Sequence, residues 1–183
     1  SHRQLISAAM GREVSLRTAI CDYFSYVNKS LTNPKLIEIN IFEQTAKLSR
    51  YDGLTDLLNR VSFDTELCRE ISRAKRHNNE LSLIFFDLDD FKRVNDSYGH
   101  QAGDTVLKDC ASVINRLKRT EDIVARYGGE ELILLLPDSD KTRAMKLAER
   151  VRSEIEKMLF SHSEKSIRIT VSGGVASFPA DAD

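Results

Sequence analysis

The spacing of apolar residues changes near residue 50 of the chain. Before that point, between Leu16 and Val27, apolar side chains recur every three or four positions, which predicts helix. Asn33 and Pro34 interrupt the pattern, because proline disfavours helix at the residue before it and starts a new helix well. We expect a second helix from Pro34 to about Ser49. Residues 1–50 are therefore predicted to form a helical segment ahead of a separate domain.

Two roles are open for this helical segment. Its apolar stripe either packs as a cap on the following domain or forms a stalk that sets the geometry of a dimer. Exposed and buried stripes have the same spacing in a sequence, so the pattern favours neither role.

From residue 55 onwards, segments typical of strands alternate with segments typical of helices. Helical spacing from Asn59 to about His77 precedes LSLIFFD, a strand that is apolar on both faces. A second helix is predicted from about Asp104 to Leu117. The segment SIRITVSGGVAS is predicted to form a later strand. A third helix precedes that strand, and its apolar face carries Ala144, Leu147, Ala148, Val151 and Ile155.

Between the second and third helices, two extended runs are joined by Gly128 and Gly129. This pattern predicts an antiparallel hairpin, because the tight turn that matches strand twist needs positive φ at both central positions. The order strand, helix, hairpin, helix, strand predicts an α+β fold. We expect a mainly antiparallel central sheet with its helices packed on one face.

Composition narrows the range of partners and compartments. The formal net charge is −1 and the charges are interspersed, so no basic stripe indicates a nucleic-acid partner. Cys21, Cys68 and Cys110 lie far apart and in no metal-binding spacing, which fits a reducing compartment. The longest apolar runs are too short to cross a bilayer and no leader opens the chain. We therefore expect a cytoplasmic protein without a membrane segment in this chain.

Acidic residues gather at the ends of two predicted strands. Asp87, Asp89 and Asp90 close the apolar strand, whereas Glu130 and Glu131 open the second strand of the hairpin. If these strands are neighbours, the carboxylates crowd one end of the sheet and their repulsion is relieved by a hard divalent cation, with Mg²⁺ expected. The alternative is that Asp89 and Asp90 cap the next helix and that the glutamates are solvated.

The residue pattern also selects among metal sites. A calcium loop is excluded, since Phe91 stands where a third acid is required. Acids on two neighbouring strands, without a Gly-rich GK[ST] loop, suit two-metal nucleotidyl transfer, as in polymerase palms and nucleotide cyclases. The residues alone therefore predict a metal-dependent nucleotidyl transferase.

Four motifs carry a family resemblance: YDGLTDLLNRVSF, FFDLDDFKRVNDSYGHQAGDTVL, RYGGEEL and ITVSGGVASFP. In this order and spacing they resemble the GGDEF family of diguanylate cyclases, bacterial signalling enzymes that condense two GTP molecules into cyclic di-GMP. The resemblance implies a catalytic domain over residues 51–183, with a fold like that of nucleotide cyclases and polymerase palms, and Mg²⁺ or Mn²⁺ as cofactor. Because cyclic di-GMP is two-fold symmetric, a homodimer is expected.

The resemblance also implies roles for single residues. Metal ligands would be Asp87, the Leu88 carbonyl and Glu131, whereas Glu130 would be a further ligand or would activate the ribose 3′-hydroxyl. The residues that bind GTP would be Asn95 and Asp104 at the guanine edge, and Asp90, Phe91, Lys92, Gly128 and Gly129 near the phosphates. Without the family pattern, helix capping and loop structure would be the favoured reading of Asn95 and Asp104.

A separate motif concerns regulation. Arg119 and Asp122 form an RxxD separated from Gly128 by five residues, which is the spacing of the family's product-binding inhibitory site. Arg150 resembles the secondary arginine of that site. The alternative is an ordinary surface ion pair.

The sequence departs from the family pattern in three places. LTDLLNR replaces LTGLPNR and Leu132 replaces the signature phenylalanine, changes that leave the expected metal ligands intact. The chain stops after SFPADAD, before the family's AK..GRN motif, so this fragment is expected to bind GTP weakly.

A non-catalytic receptor for GTP or cyclic di-GMP is the rival hypothesis, and a cyclase that makes a different dinucleotide is a third one. Glu130 favours an enzyme, and Asn95 with Asp104 favours guanine.

Overall fold

The structure, a computed structural model, describes residues 2–29, 50–162 and 165–181. The chain divides into two compact units, Ser1–Lys47 and Leu48–Asp183. Among the described residues, no helix is both long enough and apolar enough to span a bilayer.

Residues 2–29, the described part of the first unit, contain three helical segments. They are α1 (His2–Met10), α2 (Leu16–Asp22) and a π-helical turn, Tyr23–Val27. Ser15 caps α2 by accepting a hydrogen bond from the Thr18 N–H at 3.1 Å. The predicted helical spacing between Leu16 and Val27 is therefore confirmed, whereas the helix predicted from Pro34 to Ser49 lies outside the described residues.

The second unit is built on a five-stranded sheet. The spatial order of its strands is β1 (Leu58–Asn59), β3 (Ile123–Arg126), β4 (Glu131–Pro137), β2 (Leu81–Leu88) and β7 (Val171–Phe178). Only the pairing of β1 with β3 is parallel, which confirms a mainly antiparallel central sheet. A separate antiparallel pair is formed by β5 (Phe160–His162) and β6 (Lys165–Ile167).

In the described part of the second unit, four helices flank this sheet. They are α3 (Arg60–His77), α4 (Phe91–Tyr98), α5 (His100–Leu117) and α6 (Lys141–Lys157). Asn59 caps α3 by accepting from the Ser62 N–H at 3.0 Å, and Asp140 caps α6 by accepting from the Arg143 N–H at 2.7 Å.

The helices cover both faces of the sheet, so the prediction that they pack on one face is wrong. In β2, Ile84 and Phe86 belong to the core beneath α4, α5 and α6. Leu83 and Phe85 belong to a second core beneath α3, around the fully buried Phe63. A strand that is apolar on both faces requires a helical layer on each side, and α3 supplies the second layer.

Two predicted boundaries also differ from the structure. The second helix begins at His100 rather than near Asp104, because Gly99, with a φ of +86°, separates α4 from α5. The predicted strand SIRITVSGGVAS is divided into β6 and β7 by residues 168–170.

An ion pair ties the hairpin to the first turn of this unit. Arg126 Nη1 lies 3.2 Å from Asp52 Oδ2, and Arg126 Nη2 donates to the Gly129 carbonyl at 2.7 Å. Asp52 also accepts from the Thr55 N–H at 2.8 Å and from its hydroxyl at 2.7 Å. Burial opposes ionisation of Asp52, but the bonds from Thr55 and the charge of Arg126 outweigh it and hold the pKa below its usual value.

We predict that Asp52→Asn destabilises the domain at neutral pH and flattens the dependence of its stability on pH. The pKa of Asp52 is lower in the folded than in the unfolded state, so its contribution is present above about pH 4 and is lost as pH falls further. Losing hydrogen bonds to a charged group is expected to cost about 1–3 kcal/mol. Urea denaturation at pH 7 and near pH 3.5 measures both effects, with exposed Asp64→Asn as control. Equal losses at the two pH values would contradict this assignment.

Candidate active site

The pairing of β2 with β4 places two acids opposite each other. Asp87 is the register partner of Glu131 at the end of the ladder. On each strand the acid lies two positions from an apolar residue of the α3-side core, Phe85 in β2 and Ile133 in β4. Both acids are therefore directed to that side of the sheet. The Leu88 N–H also donates to the Glu130 carbonyl at 3.4 Å. The expectation that the two acid clusters meet at one end of the sheet is therefore confirmed.

The turn between the strands differs from the predicted one. Four residues, Tyr127 to Glu130, connect β3 to β4, and the Tyr127 N–H donates to the Glu131 carbonyl at 2.9 Å. Neither Gly128 nor Gly129 has a positive φ, so the predicted reason for the glycine pair is wrong. A Cβ at Gly128 would instead lie 1.9 Å from Glu131 Oε2. Gly128 therefore makes room for the Glu131 carboxylate to fold back over the turn.

The donors at this end of the sheet suit Mg²⁺ or Mn²⁺. Within residues 2–29, 50–162 and 165–181, no group of three or more His, Cys, Asp or Glu side chains is gathered closely enough to hold a metal. Mg²⁺ does not need such a cage, because it is commonly bound by one or two carboxylates together with substrate phosphates. Asp87 and Glu131, paired across β2 and β4, fit that pattern.

Asp89 is fixed by the neighbouring strand, a feature that the sequence did not reveal. Its Oδ1 accepts from the Ser172 hydroxyl at 2.6 Å and its Oδ2 accepts from the Thr170 hydroxyl at 2.5 Å. Its N–H donates to the Thr170 carbonyl at 2.9 Å. The partners lie 81 and 83 positions away in sequence, so local pattern gives no signal of them.

Asp90 precedes α4 without capping it. Its φ is +55° and its side chain makes no capping hydrogen bond, but it pairs with Arg93 at 3.4 Å. The alternative in which Asp89 and Asp90 serve as helix caps is therefore wrong. In the first turn of α4, the buried Phe91 side chain anchors the helix, whereas the Lys92 side chain is exposed to solvent. The first N–H groups of any helix lack intrahelical acceptors.

Asn95 lies against α5 next to Asp104. A Cβ at Gly103 would be 2.0 Å from Asn95 Oδ1, so the asparagine side chain rests on the backbone of Gly103. Asp104 is the next residue and is exposed. Because α5 begins at His100, Asp104 lies inside the helix, and helix capping does not explain it. The structure thus places the Asn95 side chain against the residue that precedes Asp104.

The RxxD motif lines a cavity at the opposite end of β3. Its volume is about 330 Å³, and Arg119, Asp122 and Arg150 are among the lining residues. Arg143 and Lys146, which the sequence did not point to, add two cationic side chains to the lining. Arg150 Nη2 donates to the Leu117 carbonyl at 2.6 Å, which fixes the guanidinium at the cavity. We call this space the RxxD cavity.

Asp122 is the buried group of the RxxD cavity. It is 4% exposed, and its Oδ2 accepts from the Arg119 N–H at 2.7 Å. Its Oδ1 has no hydrogen-bond partner in the described part of the chain. Burial raises the pKa of this carboxyl above its usual value. The Arg119 guanidinium approaches Glu121 at 3.9 Å, so the motif is not the simple Arg119–Asp122 surface pair.

Comparison with known proteins identifies relatives of this domain. Residues 49–183 match the family described as "Diguanylate cyclase, GGDEF domain". Diguanylate cyclase A of Treponema denticola is 33% identical over 177 residues, which cover 95% of this chain and 47% of that protein. Diguanylate cyclase DosC of Escherichia coli is 38% identical over 133 residues, which cover 72% of this chain and 29% of that protein. The chain spans less than half the length of these two curated relatives.

Solved structures with the same architecture extend the comparison. The coiled coil and GGDEF domain of DgcB from Caulobacter crescentus, in complex with c-di-GMP, matches with a TM-score of 0.75 and 31% identity, covering 92% of this chain and 86% of that one. SiaD from Pseudomonas aeruginosa, in complex with its activator SiaC, matches with a TM-score of 0.69 and 30% identity, covering 96% and 62%. With its acidic hairpin and a family match over most of its length, the chain belongs to the GGDEF-domain family of diguanylate cyclases.

Proposed function

We propose that the unit Leu48–Asp183 is a diguanylate cyclase module that condenses two GTP molecules into cyclic di-GMP with Mg²⁺ or Mn²⁺. The register pairing of Asp87 with Glu131 is the observation that carries this proposal. Two carboxylates on adjacent strands favour a bound cation that offsets their repulsion, and a metal bound to nucleotide phosphates would supply it. The names of the relatives support the choice of reaction.

The metal would be held by the Asp87 and Glu131 carboxylates together with the Leu88 carbonyl. When bound, it neutralises phosphate charge and lowers the pKa of the attacking ribose 3′-hydroxyl. Glu130 precedes the metal pair, and its carbonyl is tied to the Leu88 N–H at 3.4 Å. We assign its carboxylate to accept the proton of the 3′-hydroxyl or to act as a further ligand.

The start of α4 would hold the triphosphate. The N–H groups of Asp90 and Phe91 and the exposed Lys92 ammonium provide donors and positive charge at a helix N-terminus. Gly128 and Gly129 on the facing hairpin carry no side chain that would obstruct the nucleotide. The phosphates would therefore lie between α4 and the turn.

The guanine base would be read at α5. Asp104 supplies a carboxylate that accepts from the N1–H and amino group of guanine. Asn95, held against Gly103, supplies an amide beside it. An adenine base presents the opposite pattern on that edge, so this pair favours GTP over ATP.

Product identification tests the proposed reaction. The purified protein is incubated with GTP and Mg²⁺, and the nucleotides are separated by chromatography and identified by mass. We expect cyclic di-GMP together with two pyrophosphates for each product molecule. GTP binding without turnover would support the receptor hypothesis instead, and another dinucleotide would overturn the assignment of the base.

We predict that Asp87→Asn and Glu131→Gln each lower turnover by about 10²–10³-fold or more while the fold is retained. Each change removes one negative charge from the paired acids without changing the size of the side chain. The exposed α4 residue Asp96, changed to Asn, is a matched control that alters the net charge equally. Retention of full activity by either site variant would rule out the metal assignment.

A symmetric homodimer would be the active species. Each GTP hydroxyl must attack the α-phosphate of the other GTP, so two modules have to face each other. The first unit offers an apolar stripe for this purpose, since Leu16, Ile20 and Val27 are 61%, 47% and 56% exposed. A second copy of the same chain would cover this stripe.

We predict that specific activity falls on dilution, together with the mass measured by light scattering. Leu16→Glu with Ile20→Glu should shift this dependence to higher protein concentration, because charges on the stripe oppose its burial. Leu159→Glu is the control, since Leu159 is a similarly exposed leucine in the second unit. Constant specific activity from a monomer would contradict the dimer.

The RxxD cavity would bind the product and inhibit the enzyme. Arg119 and Arg150 suit guanine edges and phosphate oxygens, because a planar guanidinium donates two parallel hydrogen bonds. Asp122 Oδ1, which has no hydrogen-bond partner among the described residues, would accept from a guanine N–H. The cavity adjoins the start of β3, the first strand of the hairpin that carries Glu130 and Glu131. Product bound in the RxxD cavity would therefore restrain the acidic pair, Asp87 and Glu131, without entering the active site.

We predict that Arg119→Ala weakens inhibition by added cyclic di-GMP about tenfold or more and leaves the initial rate nearly unchanged. Arg116→Ala is the matched control, because Arg116 is an exposed arginine of α5 that does not line the cavity. Inhibition curves measured at fixed GTP provide the test. Identical curves for the wild type and Arg119→Ala would exclude the RxxD cavity as the inhibitory site.

A further inference from the structure

The turn between β2 and α4 contains a disfavoured backbone conformation. Asp90 has φ +55° and ψ 26°, in the left-handed region, although it is not glycine. This region is sterically unfavourable for residues with a Cβ. Such a conformation persists where surrounding contacts over-determine it. The contacts that hold it should therefore be found in the residues next to Asp90.

The preceding residue makes those contacts. Both carboxylate oxygens of Asp89 accept hydroxyl hydrogen bonds, from Ser172 at 2.6 Å and from Thr170 at 2.5 Å. The Asp89 N–H donates to the Thr170 carbonyl at 2.9 Å. Three hydrogen bonds thus join this residue to β7 and the residue before it. We call the three residues the Asp89 clamp.

The backbone of Leu88, the residue before Asp89, is held as well. The Leu88 N–H points to the Glu130 carbonyl of the hairpin, whereas the Asp89 N–H points to Thr170. The turn is thereby attached to the strands on either side of β2. The left-handed residue follows at once and directs the chain into α4.

We infer that Asp89 is a positioning residue for the nucleotide site. Through Thr170 and Ser172 it holds the turn in the conformation that presents the Leu88 carbonyl to the metal and the first N–H groups of α4 to the phosphates. This inference rests on the proposed function of the site. It assigns Asp89 to the support of the metal and not to its ligand set, because each carboxylate oxygen is already bonded to a hydroxyl.

Removing the two hydroxyls tests the clamp. Thr170→Val combined with Ser172→Ala keeps the side-chain sizes similar and deletes both donors to Asp89. Loss of groups that support metal ligands typically weakens metal affinity 10–100-fold, so we expect a shift of about that size in the Mg²⁺ dependence of binding of a non-hydrolysable GTP analogue. The Michaelis constant for GTP should rise in parallel.

The matched control is Ser177→Ala. Ser177 is also a hydroxyl residue of β7, but it bonds to Ser82 at 2.7 Å at the opposite end of the strand. Ser177→Ala should lower the melting temperature of the protein without changing the Mg²⁺ dependence of analogue binding. A double variant whose Mg²⁺ dependence equals that of the wild type, or moves no more than that of Ser177→Ala, would overturn the inference.

A rescue experiment separates positioning from a general structural role. Glycine adopts positive φ without a steric penalty, so Asp90→Gly in the double variant should recover a large part of the lost affinity. A crystal structure of the double variant without this change should show residue 90 leaving the left-handed region. If residue 90 stays at positive φ, or if glycine gives no recovery, the clamp does not hold the turn. A wild-type protein that binds the analogue but makes no cyclic di-GMP would refute the proposed reaction while leaving the clamp standing.

Discussion

The pairing of β2 with β4 is the constraint on which the rest of the site depends. Its register sets Asp87 opposite Glu131 at the end of a largely apolar ladder. Sheet hydrogen bonds and the burial of Phe86 and Leu134 hold this register. A one-residue slip of β4 against β2 would turn Glu131 to the other side of the sheet, away from Asp87. The fold therefore brings two acidic residues together at the end of the sheet where we propose that a divalent cation binds.

Several contacts around the hairpin keep this arrangement in place. Arg126 joins the carbonyls of Gly128 and Gly129 to Asp52, and thus ties the turn to the start of the domain. Gly128 leaves space for the Glu131 carboxylate. The hairpin is a short connection held at both ends, which suits a site whose ligands must be preorganised.

Much of the site could be predicted from sequence because its acids interrupt strong apolar patterns. Asp87 ends a strand that is apolar on both faces, and Glu131 begins another, so their neighbourhood follows once the strands are paired. The same two-faced pattern in β2 should also have indicated helices on both sides of the sheet. The role of Gly128 could not be predicted, since it depends on where the Glu131 side chain folds and not on backbone φ.

Contacts between segments that are distant in sequence explain the other features that the sequence did not predict. Asp89 and Thr170 are 81 positions apart, and no local pattern pairs them. Asn95 meets Gly103 only because Gly99 reverses the chain between α4 and α5. Arg143 and Lys146 join the RxxD cavity from α6, whose face toward that cavity is not distinguishable from a solvated helix face in the sequence. Tertiary packing therefore decides the supporting residues, whereas the residues that we propose as metal ligands are visible locally.

The most direct test of the central claim is the position of a bound metal. Crystals grown with Mn²⁺ and a non-hydrolysable GTP analogue would locate the ion by its anomalous scattering. We predict a Mn²⁺ peak within about 2–2.5 Å of carboxylate oxygens of both Asp87 and Glu131. A nucleotide bound with its metal away from this pair, or no metal at the pair despite bound nucleotide, would contradict the claim that the β2–β4 register creates the catalytic site.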